Sequence, residues 1–207
     1  DTPDMHAPPT FLLQTLCCKI NQYETQALCE AWEEAGAQEV QCPSQAQTIL
    51  INSCAVTQRA LRDVRQLARS LYREAPQASL IITGCAAQVF AQELAQLPGV
   101  TRVIPQDRKP ELKHLFAEQA APEPTPFPDF SISRFPRARA VLKVQDGCSH
   151  RCTYCIVPIT RGPAVSRSPQ DILAEVDRLL AGGWQELVVS GINLRQYYSQ
   201  GQDFWDL

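Results

Sequence analysis

Short apolar runs at 11–16, 48–52, 79–83 and 101–104 alternate in the first half of the chain with stretches of helical periodicity. This alternation constrains the fold more than any other feature. Strands separated by helices return in the same direction, which calls for a parallel sheet covered by helices on both faces. The first helix is predicted with Asn21 as its cap and Glu24 three residues on, running to Ala35 with Gly36 as its stop. The second starts near Thr57 and carries Ala60, Leu61, Val64, Leu67, Ala68 and Leu71 as one apolar stripe, ended by Pro76. A third is predicted from about Ala86 to Gln96, before Pro98-Gly99.

Pro122, Pro124, Pro126, Pro128 and Pro136 then forbid both helix and central strand, so this segment reads as a semi-rigid extended linker. A second unit follows: a strand at 140–144, a long loop, a helix capped by Ser168 with Pro169 in its first turn, a Gly182-Gly183 stop, and a strand at 186–190. The expected division is an α/β domain over 9–106, a helix and linker over 107–138, and a βαβ unit over 139–207. No apolar run approaches the roughly 18 residues that span a bilayer, and no signal peptide is visible, so no membrane partner is expected. The chain starts at Asp1 without Met and stops at Leu207 soon after a strand, which reads as a fragment.

Nine cysteines in 207 residues is a high and odd count. A secreted disulfide framework has an even number in a shorter chain, so the pattern points to cytoplasmic thiols used for metal or redox chemistry. Cys148, Cys152 and Cys155 form Cys-x3-Cys-x2-Cys in the loop after strand 140–144. Three thiolates this close can hold three irons of a four-iron cluster and leave the fourth open to a ligand. The alternative is a structural zinc knuckle that borrows His150.

The strand reading brings out a second trio. Cys18, Cys54 and Cys85 each follow a strand of the first unit, so all three belong at the carboxyl edge of one parallel sheet, where open α/β sheets bind ligands. Separations of 36 and 31 residues hide the trio from any local motif. Cys29 reads as a small core residue and Cys42 as a free loop thiol. Cys17 adjoins Cys18, and only one of two neighbours in extended chain faces the cluster.

With two such trios in this order, the chain resembles the radical S-adenosylmethionine methylthiotransferases. Local matches are Lys19-Ile-Asn-Gln-Tyr-Glu-Thr25, Asn52-Ser-Cys-Ala-Val-Thr57, Gly84-Cys-Ala-Ala-Gln88, Val144-Gln-Asp-Gly-Cys148, Arg161-Gly162 and Ser166-Arg167. The resemblance implies an N-terminal α/β domain followed by the start of a radical S-adenosylmethionine (β/α) partial TIM barrel, cut short here. It implies two 4Fe-4S clusters, on Cys18, Cys54 and Cys85 and on Cys148, Cys152 and Cys155. S-adenosylmethionine on the second would yield a 5′-deoxyadenosyl radical that takes hydrogen from C2 of an adenine, and the first would hold the methylated sulfur. The runs around Asn21 and at Ser190-Gly-Ile-Asn-Leu194 look most like the branch acting on N6-threonylcarbamoyladenosine in tRNA.

A tRNA, an electron donor and a sulfur donor are the implied partners. Tyr154, Ser190, Gly191 and Asn193 are candidate cofactor contacts, and Arg161 and Arg167 candidates for the cofactor carboxylate or RNA phosphate. Six Lys/Arg against one acid between Arg137 and Arg167 suit an RNA partner, although the whole chain is at −3. The family pattern usually has Gly where Cys17 stands. Competing readings are a sister enzyme acting on isopentenyladenosine in tRNA or on a ribosomal protein, a non-catalytic iron–sulfur protein with closed sites, and a zinc-stabilised RNA-binding module.

Overall fold

A computed structural model describes residues 7–16, 18–117 and 127–207. Its first unit is a five-stranded sheet of β1 (Thr10–Thr15), β2 (Gln38–Glu39), β3 (Thr48–Ser53), β4 (Ser79–Gly84) and β5 (Val100–Ile104). The order is β2-β1-β3-β4-β5, and every pairing is parallel. Alternation along the strands divides the core in two. Phe11, Leu50 and Ile81 face α1 (Lys19–Glu34), while Leu12, Ile49, Ile51, Leu80 and Ile82 face α2 (Gln58–Glu74). The edge strand β2 was invisible in the sequence because two residues carry no periodicity.

Local chemistry sets the helix ends. Thr57, near which the second helix was expected to start, caps α2 by accepting from the Ala60 amide at 3.1 Å. The first helix instead begins at Lys19 with Cys18 as its cap, and Asn21 lies inside the first turn. In place of the single third helix there are two short ones, α3 (Cys85–Val89) and α4 (Ala91–Ala95), broken at Phe90.

The second unit pairs β6 (Ala140–Lys143) in parallel with β9 (Leu187–Ser190). Between them lie β7 (Gln145–Asp146), α5 (Val157–Arg161), β8 (Val165–Ser166) and α6 (Pro169–Ala181), capped by Ser168 as expected. Residues 106–114 are a 3-10 helix. Pro122, Pro124 and Pro126 of the predicted linker lie outside the described residues. The stretch after them is packed: Phe130, Ile132 and Phe135 are buried in one core with Phe11, Tyr23, Trp32, Val141 and Leu179. That core joins the two units, with α1 between them and buried nearly all round.

Candidate functional site

The carboxyl ends of β1, β3 and β4 carry Cys18, Cys54 and Cys85. Cys54 follows β3 directly and is buried; Cys85 opens α3 and is buried; Cys18 caps α1 and is exposed. The Cys18 sulfur accepts from the Asn21 amide at 3.4 Å. Protein packed behind that sulfur pushes its thiol up, the Asn21 amide and Arg161 pull it down, and Cys54 is near enough to repel it. Arg161 also attracts Cys85. One cationic side chain therefore acts on sulfurs from two of the three loops.

Gly84 makes the β4 turn possible. Its φ is +95°, and a Cβ there would lie 2.4 Å from the Ser53 carbonyl and 2.8 Å from Asn52 Oδ1. The strand ends are thus locked side by side, and the Ser53 hydroxyl donates to the Thr83 carbonyl. Cys17 lies outside the described residues.

Cys148, Cys152 and Cys155 line one cavity of about 620 Å³ together with Arg151, Pro158 and Ile159, and no His, Asp or Glu lines it. The loop is held from several sides. The Cys148 amide donates to the Gly162 carbonyl at 3.1 Å, the Cys155 amide to the Cys152 carbonyl at 3.0 Å, and the Ser149 amide to Gln196 Oε1 at 2.9 Å. Gly147, at φ +65°, lets it pass Pro163, whose carbonyl a Cβ would meet at 2.0 Å. The two cysteine sets are neighbours through their helices: α5 starts two residues after Cys155 and packs on α3, which starts at Cys85.

Behind these loops lies a buried ionic network that the sequence did not announce. Glu24 receives Lys109 Nζ at 2.6 Å, Lys143 Nζ at 2.7 Å and Arg161 at 2.9 Å. Asp146 receives Lys143 at 2.6 Å, Arg161 at 3.0 Å and the Gly147 amide at 2.7 Å. Asn21 and Asn52 complete it, accepting from Arg161 at 2.8 Å and Lys109 at 2.9 Å. Burial alone would raise the Glu24 carboxyl, but its three cations outweigh that and hold it well below the usual carboxylate range. Burial likewise opposes charge on Arg161, and Glu24 and Asp146 reverse it, holding the guanidinium well above its ordinary value. The network spans α1, the 3-10 helix, β6, β7 and α5, so it fixes one cysteine set relative to the other.

The remaining predicted residues are scattered. Asn193 is aimed at the loop, its Nδ2 3.8 Å from Cys148 Sγ and its amide donating to Gln145 Oε1 at 2.8 Å. Gly191 packs tightly on Gln145, and Ser190 ends β9 with its carbonyl accepting from the Val144 amide. Tyr154 is 90% exposed. Arg161 and Arg167 both meet buried acids: Arg161 sits in the network, and Arg167 is buried against Glu175 and Tyr23. With Lys143 also buried, the basic stretch at 137–167 is not a basic surface, because half of its cations are turned inward to acids.

The donor sets suit iron–sulfur chemistry. Each trio offers three soft thiols, and no carboxylate or imidazole lines the cavity of the second. Among the described residues, neither trio brings its three sulfurs within 4.8 Å of one another. Cys29, Glu33 and Glu39 do lie that close, but Glu33 is paired with Arg134 and burial pushes the Cys29 thiol up to about 12.

Residues 10–105 match an uncharacterized protein family, UPF0004, and residues 142–206 match the radical SAM superfamily. Threonylcarbamoyladenosine tRNA methylthiotransferase MtaB of Bacillus subtilis (strain 168) is 32% identical over 207 residues, covering 94% of this chain and 46% of that protein. The protein of the same name from Chlamydia pneumoniae is 38% identical over 190 residues, covering 91% and 44%. A tRNA-2-methylthio-N(6)-dimethylallyladenosine synthase of Deinococcus radiodurans is 34% identical over 211 residues, covering 93% and 42%. The chain spans somewhat under half the length of these relatives. No helix among the described residues is long and apolar enough to cross a membrane.

Proposed function

Starting from a chain that belongs to the radical S-adenosylmethionine methylthiotransferase family, we propose that it serves a tRNA methylthiotransferase that modifies C2 of N6-threonylcarbamoyladenosine. The observation that carries this reading is the pair of three-thiol sets brought together where α3, which Cys85 opens, packs on α5, which follows Cys155, with no fourth ligand type in the cavity of the second set. Cys18, Cys54 and Cys85 would hold one 4Fe-4S cluster, and Cys148, Cys152 and Cys155 the other. When bound, the clusters and S-adenosylmethionine supply the reducing electron, the hydrogen abstraction and the methylated sulfur.

The chain's own residues orient and enclose. Asn193 directs its amide toward Cys148, Gln145 holds Asn193, and Gly191 and Ser190 form the end of β9 beside them. Tyr154 stands exposed at the loop, placed to cover a bound cofactor or base. In this reading 9–106 is the sulfur-delivering unit, 107–138 joins it, and 139–207 is the first part of the radical barrel. A tRNA, an electron donor and a sulfur donor are its partners. Among the described residues the cysteines are thiols and not disulfides, which fits a reducing cytoplasm.

The threonylcarbamoyl substrate is supported by the names of the B. subtilis and C. pneumoniae relatives; the D. radiodurans relative favours a dimethylallyladenosine substrate as the second reading. Anaerobically reconstituted protein, given tRNA bearing threonylcarbamoyladenosine, dimethylallyladenosine or plain adenosine at that site, separates them. Methylthiolation of the first tRNA alone, read by mass spectrometry of digested nucleosides, is expected. Equal or greater activity on either of the others would overturn the substrate assignment.

A further inference from the structure

Helix α2 carries Arg59, Arg62, Arg65, Arg69 and Arg73. At about 100° per residue these five fall within an arc of about 120°, roughly opposite the buried residues Ala60, Leu61, Val64, Ala68 and Leu71. The two acids of the helix, Asp63 and Glu74, fall outside that arc. An ordinary solvated helix face intersperses acids three or four residues from its bases. Apart from Asp63, four residues on from Arg59, this one concentrates a single sign, in a chain whose net charge is −3.

Four of the arginines, Arg62, Arg65, Arg69 and Arg73, also border a cavity of about 680 Å³ that Pro98 lines with them. Tyr72 lines it, half-exposed, with its ring seated on Gly99: a Cβ at Gly99 would lie 2.3 Å from Tyr72 Cδ2. Of the five, Arg65 is paired with Glu93, and Arg59 approaches Asp63 only to 3.9 Å. From Arg59 to Arg73 the helix rises about 21 Å, enough to follow several phosphates of one strand. Guanidinium forks match phosphate oxygens in pairs, and an exposed aromatic among them offers a stacking face.

We propose that the outward face of α2, with Arg62, Arg69, Arg73 and Tyr72 at its centre, docks the sugar–phosphate backbone of a structured RNA. The inference rests on the tRNA reading above and adds a place for the substrate's body away from the cysteine loops. The contacts are backbone contacts, so they position the RNA without reading its sequence.

The test is binding of a transcribed tRNA to the reconstituted chain, followed by fluorescence anisotropy across a salt series. The variant R62Q/R69Q/R73Q removes three charges without touching the core, and Arg178→Gln, an exposed arginine on α6, is the control. The triple variant is expected to lose roughly tenfold or more in affinity, with the slope of log K against log salt reduced by about two to three. Arg178→Gln is expected to change neither. A triple variant that binds with wild-type affinity and slope overturns the α2 docking face and leaves the tRNA reading standing. No tRNA binding by the wild-type chain overturns both. Loss of binding to phosphatidylserine vesicles with RNA affinity unchanged assigns the face to a membrane surface and also overturns the proposal.

Discussion

Glu24 and Arg161, 137 residues apart, meet at 2.9 Å in a site closed to solvent. The carboxylate belongs to the helix behind Cys18, and the guanidinium ends the helix that follows Cys155. Their contact ties the helix that Cys18 caps to the helix that follows Cys155.

Glu24→Gln leaves Lys109, Lys143 and Arg161 buried with Asp146 as their one remaining acid in the network. Removing one side of a buried ionic cluster costs about 3–5 kcal/mol, so the denaturation midpoint should fall by a matching amount. Breaking the exposed Arg59–Asp63 pair should change stability by less than about 0.5 kcal/mol. The pH dependence carries a sign. Because the folded Glu24 pKa is depressed, its stabilisation is present above the unfolded carboxylate value near 4 and is lost as pH falls toward the folded value. Chemical denaturation between pH 5 and pH 2 should show a shallower decline in the variant.

Tyr23 works in the opposite direction. Its hydroxyl sits 2.7 Å from the Phe130 carbonyl and 3.0 Å from Glu175, and burial beside that carboxylate pushes its pKa well above 10. The neutral hydroxyl's contribution is whole below the unfolded pKa and is lost as pH rises through the folded one. Tyr23→Phe should cost about 1–2 kcal/mol at neutral pH and blunt the alkaline loss of stability.

Gly84→Ala should damage both the fold and the first thiol set. A methyl group there meets the Ser53 backbone and Asn52, at a φ that L side chains rarely adopt. We expect a loss of at least about 2 kcal/mol and reduced iron uptake, because Cys85 is the next residue. Gly36→Ala, at φ +89° with open space around it, should cost only about 1 kcal/mol and leave iron uptake unchanged.

The cysteines should separate into two independent groups. Cys85→Ala is expected to remove about half of the bound iron while S-adenosylmethionine still alters the remaining paramagnetic signal. Cys152→Ala should remove the other half and abolish that response. Cys29→Ser and Cys42→Ser, at a core position and an exposed loop, should retain all of the iron.

The sheet and the loops bearing Cys54 and Cys85 were legible because β3 and β4 are continuous apolar runs ended by small polar residues. The start of α1 was misread because Asn21 is a good cap by composition, and a cysteine holding that post leaves no such signal. The break at Phe90, the two-residue strand β2 and the short helix α5 are too brief to show a period. Lys143, Arg161 and Arg167 looked like a basic surface because sequence alone does not show which way a charge points. Lys143 did carry one usable clue. It lies in a strand of a βαβ unit, which is covered on both faces, so a lysine there needs a buried acid.

The central claim, two open-sited clusters on the two thiol sets, is tested most directly by anaerobic reconstitution with iron and sulfide. Iron is then counted, and paramagnetic resonance is recorded with and without S-adenosylmethionine. About eight irons per chain, with one of two signals changed by the cofactor, is the expected result. About four irons, or a colourless protein holding zinc, would contradict it.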